Sequence, residues 1–279
     1  MSLRKIYYQL PISWRFLARR VAYSPVDLLN TLSGTRSKYE PPKGLIYTGR
    51  GIGSFLEQGK QHLKLLHQHI PFEKNSTLLD IGSGIGRTAI PLTEYLNSEG
   101  KYEGFDPVKV GIDWCQSKIT PDFPNFNFTY TPLKNDLYTD HDVDAQSFTF
   151  PYPDNTFDRA FLFSIFTHFS VAEIGHYLSE IHRVLKPGGQ CLATFFIYDQ
   201  SIEEEISTQP EFNFPVDADG YRLMDEAVQS ANIALDTKLL QNLVEAARLK
   251  QVKYVKGFWK PPYQKTEEND FQDILVLEK

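Results

Sequence analysis

An open α/β sheet of largely parallel strands is the fold class this sequence predicts, and three stretches predict it. Thr77, Leu78, Leu79 and Ile81 read as a short buried strand, Gly82–Gly86 as a turn, and Thr88, Ala89, Ile90 and Leu92 as the opening of a helix. Lys101–Asp106 reads as the next strand and ends in an acid 20 residues after Gly86. Phe157–Phe163 is a nearly continuous apolar run, the pattern of a parallel strand buried on both faces. A strand, a glycine turn and a helix start together make a site where a ligand can approach backbone closely.

The spacing within that turn separates three chemistries. A dinucleotide fingerprint needs glycine at the first, third and sixth positions. Counting from Gly82, the sixth position is Arg87. A phosphate loop needs four residues between its glycines, then Lys and Ser/Thr. Only three separate Gly82 from Gly86, and no Lys follows. What remains is acid-x-Gly-x-Gly-x-Gly, with Asp80 as the acid. A carboxylate there repels a pyrophosphate and suits a cationic ligand, and a ligand-free turn would not need the acid. Asp106, at the tip of the second strand, is placed to accept from both hydroxyls of a ribose. A nucleoside without phosphates is implied, and S-adenosyl-L-methionine fits, with its ribose, sulfonium and amino-acid tail.

The other elements follow in order. Residues 1–44 mix Ile6, Tyr7, Leu10, Trp14, Phe16, Leu17 and Val21 with Arg4, Lys5, Arg15, Arg19 and Arg20. They predict a short amphipathic helix that packs its aromatics on the core and solvates its arginines. The competing reading is a helix that covers the active site or touches an anionic surface. Pro41-Pro42 breaks the chain, and Gly49, Gly51 and Gly53 suggest a flexible entrance. Leu56–Ile70 is a helix with Leu56, Leu63, Leu66 and Ile70 on one stripe. His62 and His69 share a face of it. No Cys or carboxylate completes a metal set, so they are expected to be solvated or at an interface.

Ile85–Leu96 and Val108–Ile119 are the next helices, and Asn125–Tyr130 is the third strand. The acidic loop Thr131–Thr149, with Asp136, Asp140, Asp142 and Asp144, is spaced too irregularly for a metal site. Ser164-Ile165-Phe166-Thr167-His168 follows the fourth strand at its carboxyl end, where open sheets bind ligands. Val171–Leu185 is a helix stopped by Lys186-Pro187-Gly188-Gly189, and Gln190–Ile197 is the fifth strand. Tyr198–Ala234 has no strong period and reads as a substrate lid. Asp236 caps a helix running to about Leu249. Gln251–Trp259 and Phe271–Leu277 read as two final strands.

Four blocks carry a resemblance to a known family. They are Leu79–Gly86, Gly104-Phe105-Asp106, Phe150-Pro151-Tyr152-Pro153-Asp154-Asn155-Thr156-Phe157-Asp158, and Ile181-His182-Arg183-Val184-Leu185-Lys186-Pro187-Gly188-Gly189. In this order they resemble the class I S-adenosylmethionine-dependent methyltransferases, closest to the type 11 branch. The resemblance implies a Rossmann-like, seven-stranded, mostly parallel sheet with an antiparallel last strand and helices on both faces. It implies a methyltransferase domain over residues 45–279 with a lid at about 198–234, preceded by an extension over 1–44.

The resemblance also implies direct transfer of a methyl group from S-adenosyl-L-methionine to an acceptor. Asp80, Gly82, Ser83, Gly84 and Gly86 would hold the methionine end and Asp106 the ribose. Many relatives place an acid or amide after the third strand, where Pro132 stands here. The adenine would then rest on backbone near Leu133 or on Asn135. Ser164 and His168 should face the reacting methyl. His168 is the best-placed side chain for proton work near pH 7, as general base, as positioning group, or as a packed loop residue.

Length and composition set the outer bounds. The 279 residues suit one large α/β domain with additions. The formal charge of −6, without a long basic run, argues against nucleic acid as the main partner. The longest apolar run, Ala160–Phe166, is too short to span a bilayer, and no signal-peptide core is seen, so a cytoplasmic location is expected. Cys115 and Cys191 read as reduced packing residues, and no metal is expected. Aromatic residues in the lid and the N-terminal arm favour an apolar or ring-bearing small-molecule acceptor. Two other classes compete: a noncatalytic S-adenosylmethionine or S-adenosylhomocysteine binder, and an NAD(P)-dependent oxidoreductase, which Arg87 disfavours.

Overall fold

The computed structural model describes residues 11–47, 55–134, 139, 141, 143–210, 212–226 and 231–279. The expectations for Gly49, Gly51 and Gly53, and for Asn135, Asp136, Asp140 and Asp142, lie outside the described residues.

Seven strands form the main sheet: β1 (Thr77–Ile81), β2 (Lys101–Asp106), β3 (Phe126–Tyr130), β4 (Phe157–Leu162), β5 (Leu185–Phe195), β10 (Lys250–Val255) and β11 (Asp273–Glu278). Their order is β10-β11-β5-β4-β1-β2-β3. β1 to β5 pair in parallel, whereas β11 runs antiparallel to β5 and to β10. The order reverses between β1 and β4, which opens a crevice at their carboxyl ends.

Alternation along β1 splits the core into two layers. Leu78 packs with Leu65 and Leu66 of helix α2 (Phe55–His69) and Ile112 of α4 (Lys109–Lys118). Leu79 and Ile81 pack on the other face with Ile174, Leu178 and Ile181 of α5 (Val171–Val184) and Leu240 and Val244 of α7 (Thr237–Ala246). Helices therefore cover both faces, as expected. Ser170 and Glu173 form a reciprocal cap at the start of α5, and Asp236 caps α7 through the Lys238 N–H. Both cysteines are buried and free.

Five differences from the sequence expectations have identifiable causes. The helix after the glycine turn is only α3 (Ala89–Thr93). Pro91 has no N–H to offer the Arg87 carbonyl, so a full ladder cannot start at Ile85. That carbonyl instead packs over Gly59, 2.4 Å from where a Cβ would stand.

The fifth strand starts five residues early and ends at Phe195; Ile197–Tyr198 (β6) then joins a second sheet. Within the segment read as a lid lie α6 (Glu203–Thr208), β7 (Val216–Ala218), β8 (Tyr221–Leu223) and β9 (Ile233–Asp236), the strands pairing with β6 in the order β6-β9-β8-β7. Strands of two to four residues are too short to show a period.

His62 and His69 are not solvated. The His62 ring stacks on Phe163, centroids 3.8 Å apart, and its Nδ1 lies 2.8 Å from Thr88 Oγ1. Burial, with Arg87 nearby, pulls its pKa down to about 3. His69 is buried with Nε2 2.8 Å from the Glu268 carbonyl.

The N-terminal helix α1 (Ile12–Leu32) is longer than expected and turned the other way. Its Asp27 accepts from the Lys43 N–H (2.6 Å) and Gly44 N–H (2.9 Å), and Phe16 meets Tyr47 edge-on at 5.7 Å. These contacts fix which face meets the body, because the amides of the 43–45 turn need an acceptor. Trp14, Leu17 and Val21 are left exposed rather than packed on the core.

One buried hub joins the two sheets. Asp273, at the start of β11, accepts from the Ile197 and Gly257 amides (2.9 Å each), Trp259 Nε1 (2.6 Å), the Tyr254 hydroxyl and Lys260 Nζ (3.2 Å each). Lys260 Nζ also donates to the Ile197 carbonyl. The crossing from β5 to β6 and the β10–β11 connection are thereby held at one carboxylate.

Candidate active site

β1, β2 and β4 each deliver a polar residue to the crevice. Asp80, the penultimate residue of β1, is buried and accepts from the Tyr102 hydroxyl at 2.6 Å. Burial raises its pKa to about 7, with a further push from the Asp106 carboxylate. Asp106 closes β2. Its Oδ2 accepts from the Gly84 N–H (2.9 Å), its Oδ1 from the Val108 N–H (2.8 Å), and the Tyr47 hydroxyl stands 3.4 Å from Oδ1. Burial still raises its pKa to about 6. Among the described residues, neither acid forms an ion pair.

The glycine turn is fixed by two amides, Gly82 and Ser83, which both donate to the Phe105 carbonyl at 3.0 Å. Gly82, Gly84 and Gly86 have φ of +79°, +59° and +84°, a region that side chains rarely enter. A Cβ on Gly82 would also stand 2.3 Å from Ile165 Cδ1. Opposite Asp80 in the register is Gly104, where a Cβ would fall 2.8 Å from Ser83 Cβ. Ser83 Oγ is buried without a protein partner, as are Thr131 Oγ1 and Thr167 Oγ1.

Leu133 is buried beyond the third strand. Its N–H donates to the Thr131 carbonyl at 2.8 Å and its carbonyl accepts from the Thr139 hydroxyl. Both backbone groups of Leu133, among those expected near the adenine, are thus engaged within the loop. Ser164, just past β4, has a left-handed φ of +58°. Its N–H donates to Thr194 Oγ1 (2.7 Å) and its hydroxyl to Gln272 Oε1 (2.9 Å). His168 ends the following short helix, Phe166–His168, half-buried, with its N–H donating to the Ile165 carbonyl at 3.0 Å.

The turn, both acids and the segment after β4 therefore converge, as the sequence suggested. Four residues beside these groups were not anticipated there: Tyr47, Tyr102 and Gln272, which bond to Asp106, Asp80 and Ser164, and His62, which stacks on Phe163. Only Tyr102 left a signal. Tyr102, Gly104 and Asp106 alternate on one strand face, and the space over Gly104 admits the tyrosine ring, 3.0 Å from a Cβ there.

Residues 79–193 match the family described as a methyltransferase domain, type 11. These matches support a class I S-adenosylmethionine-dependent methyltransferase of the type 11 branch. A demethylmenaquinone methyltransferase of Lysinibacillus sphaericus is 26% identical over 196 residues, 67% of this chain and 75% of that protein. A tRNA N(3)-cytidine methyltransferase of Xenopus tropicalis is 22% identical over 206 residues, 70% of this chain and 58% of that protein. The fold is also that of a Haloferax volcanii methyltransferase–activator structure (TM-score 0.54, 14% identity, 81% of this chain and 92% of that chain).

The residues present fit S-adenosylmethionine, the cofactor of this methyltransferase. The glycine turn leaves room for close backbone approach, Ser83 Oγ has an open hydrogen bond, and among the described residues neither buried carboxylate forms an ion pair, Arg87 acting on Asp80 only from beyond contact. Among the described residues, no His/Cys/Asp/Glu group can hold a metal ion, and no helix is long and apolar enough to cross a membrane.

Proposed function

We propose that this methyltransferase alkylates an apolar, ring-bearing small molecule. The surface beside the glycine turn carries the reading. Ile165 lies over Gly82, and Phe163, Ile165 and His168 are all half-buried along this one segment, with the His62 ring stacked on Phe163. Two further points support it. Residues 45–279 hold 21 Lys/Arg against 33 Asp/Glu, a formal −12 that disfavours a polyanionic acceptor. The Lysinibacillus relative is named for a quinone-type acceptor.

Bound S-adenosylmethionine would supply a methyl group activated on a sulfonium. The chain's part is to hold both reactants in line, a contribution of about 7–11 kcal/mol that requires no covalent intermediate with the protein. Asp80 and Ser83 would take the methionine end, Asp106 the ribose hydroxyls, and the buried Leu133 side chain would flank the adenine. Ser164 would border the acceptor. His168 would receive the acceptor's proton or orient it.

The test is transfer of labelled methyl into a host extract, split into organic, RNA and protein fractions. Label is expected in the organic fraction; label confined to RNA would overturn the acceptor class. His168→Gln should lower turnover by about 10²–10⁴-fold with S-adenosylmethionine affinity unchanged. Full turnover with an unaltered pH profile would leave His168 at most a positioning residue.

A further inference from the structure

Helix α1 carries its amphipathicity inside out. Phe16, Tyr23 and Asp27 turn toward the body. On the opposite side, Trp14, Leu17, Val21, Leu28 and Leu32 are between 54% and 76% exposed. At 3.6 residues per turn these five fall within an arc of about 60°. Among the described residues, every large exposed apolar side chain lies on this helix except Val143 and Val252.

Charge follows the same division. Residues 1–44 hold eight Lys/Arg against two Asp/Glu, a formal +6, whereas the rest of the chain is −12. Arg20 is exposed on the flank between the stripe and the inward face, about 60° from the stripe's edge, while Asp27, the acid of the helix, is turned inward onto the 43–45 amides.

From this geometry we propose that α1 docks the enzyme on an anionic lipid bilayer, lying in the interface with Trp14, Leu17, Val21, Leu28 and Leu32 in the acyl boundary. A second copy of the chain suits the stripe poorly. A symmetric contact sets one basic helix against another, and a head-to-tail contact finds no apolar patch of similar size among the described residues. A bilayer offers apolar depth and negative charge together. The inner face of the same helix leads to the catalytic end: Phe16 packs on Tyr47, whose hydroxyl stands 3.4 Å from Asp106. Docking would place the crevice beside the phase in which an apolar acceptor dissolves. That purpose rests on the acceptor reading above, but the docking itself does not.

Flotation of the full chain with vesicles tests it, using phosphatidylcholine alone and with about 30% phosphatidylglycerol, at about 50 and about 500 mM salt. Binding is expected to the anionic vesicles and to weaken with salt. Leu17→Glu/Leu28→Glu should reduce partitioning at least about tenfold, since each leucine loses its apolar burial. Arg20→Glu should reduce it about fivefold or more. Melting temperature and S-adenosylmethionine affinity should stay unchanged in both variants, because the altered side chains face solvent. No flotation with anionic vesicles, or equal flotation of the double variant, overturns the proposal. So does a dimer that the double variant splits in the absence of vesicle binding. Normal flotation without label in the organic fraction would instead defeat the acceptor reading and leave the docking intact.

Discussion

Asp273 and the Asp80–Asp106 pair bury their carboxylates in opposite ways. Asp273 is fully buried, yet five donors surround it, one of them the Lys260 ammonium. Asp80 and Asp106 are nearly as buried, and the Asp106 charge adds to the cost of charging Asp80, but they hold only tyrosine hydroxyls and backbone amides at bonding distance. The first arrangement satisfies charge within the protein and joins two sheets. The second leaves charge unbalanced, as expected where a cationic ligand completes the site.

Breaking the hub should give the largest effect. Asp273→Ala strands a buried lysine and four other donors, at a cost of about 3–5 kcal/mol. At about 2–4 °C per kcal/mol, the melting temperature should fall by roughly 6–20 °C. A loss below 2 °C would mean that the hub is dispensable.

Asp80 should show the reverse economy. Its folded pKa of about 7 lies above its ordinary 3.8, so the native state holds the proton longer than the unfolded chain. Its contribution to stability is therefore greatest in acid and declines as pH rises from about 4 to about 7, by up to a few kcal/mol. The Asp80→Asn variant should lose that slope, whatever its absolute stability, when thermal melts are compared across the range. Affinity for S-adenosylmethionine should move the other way, strengthening from about pH 6 to about pH 8 in the parent and rising less in the variant, where Asp106 alone of the two still titrates. Parallel slopes for the two proteins would remove Asp80 from the titration.

Asp106→Ala should weaken S-adenosylmethionine binding about tenfold or more by calorimetry, since hydrogen bonds to a charged acceptor contribute about 1.5–3 kcal/mol each. An unchanged dissociation constant would assign the acid solely to tying Gly84 to β2. The smallest change is expected at the hub's rim. Trp259→Phe removes one of five donors and should cost about 1.5 kcal/mol, with cofactor affinity unaltered. A drop in affinity would mean that the hub and the crevice are coupled.

What could be read in advance was what sits close in the chain or repeats with a short period. The strand, the acid and the glycine turn at Asp80–Gly86 are contiguous, and Asp106 follows at the span of one helix and one strand. Alternation and helical spacing marked β1 to β5, β11 and α5, because a half-buried element must show its period. The strands β6 to β9, at two to four residues, were too short to show one.

The rest depended on partners far along the chain. Gln272 reaches Ser164 across 108 residues, and Glu268 reaches His69 across 199. Nothing local in either sequence signals those meetings. The same holds for His62, neutral and stacked because Phe163 and Thr88 happen to close over it. Helix α1 is the clearest case. Its apolar spacing was legible and led to an expectation of burial, but the outward face was decided by Asp27 satisfying amides 16 and 17 residues away. The sequence by itself determined the fold class, the glycine turn and the two acids at the strand tips. Tertiary structure decided which charges were balanced and which apolar face was left uncovered, because both depend on surroundings that only packing supplies.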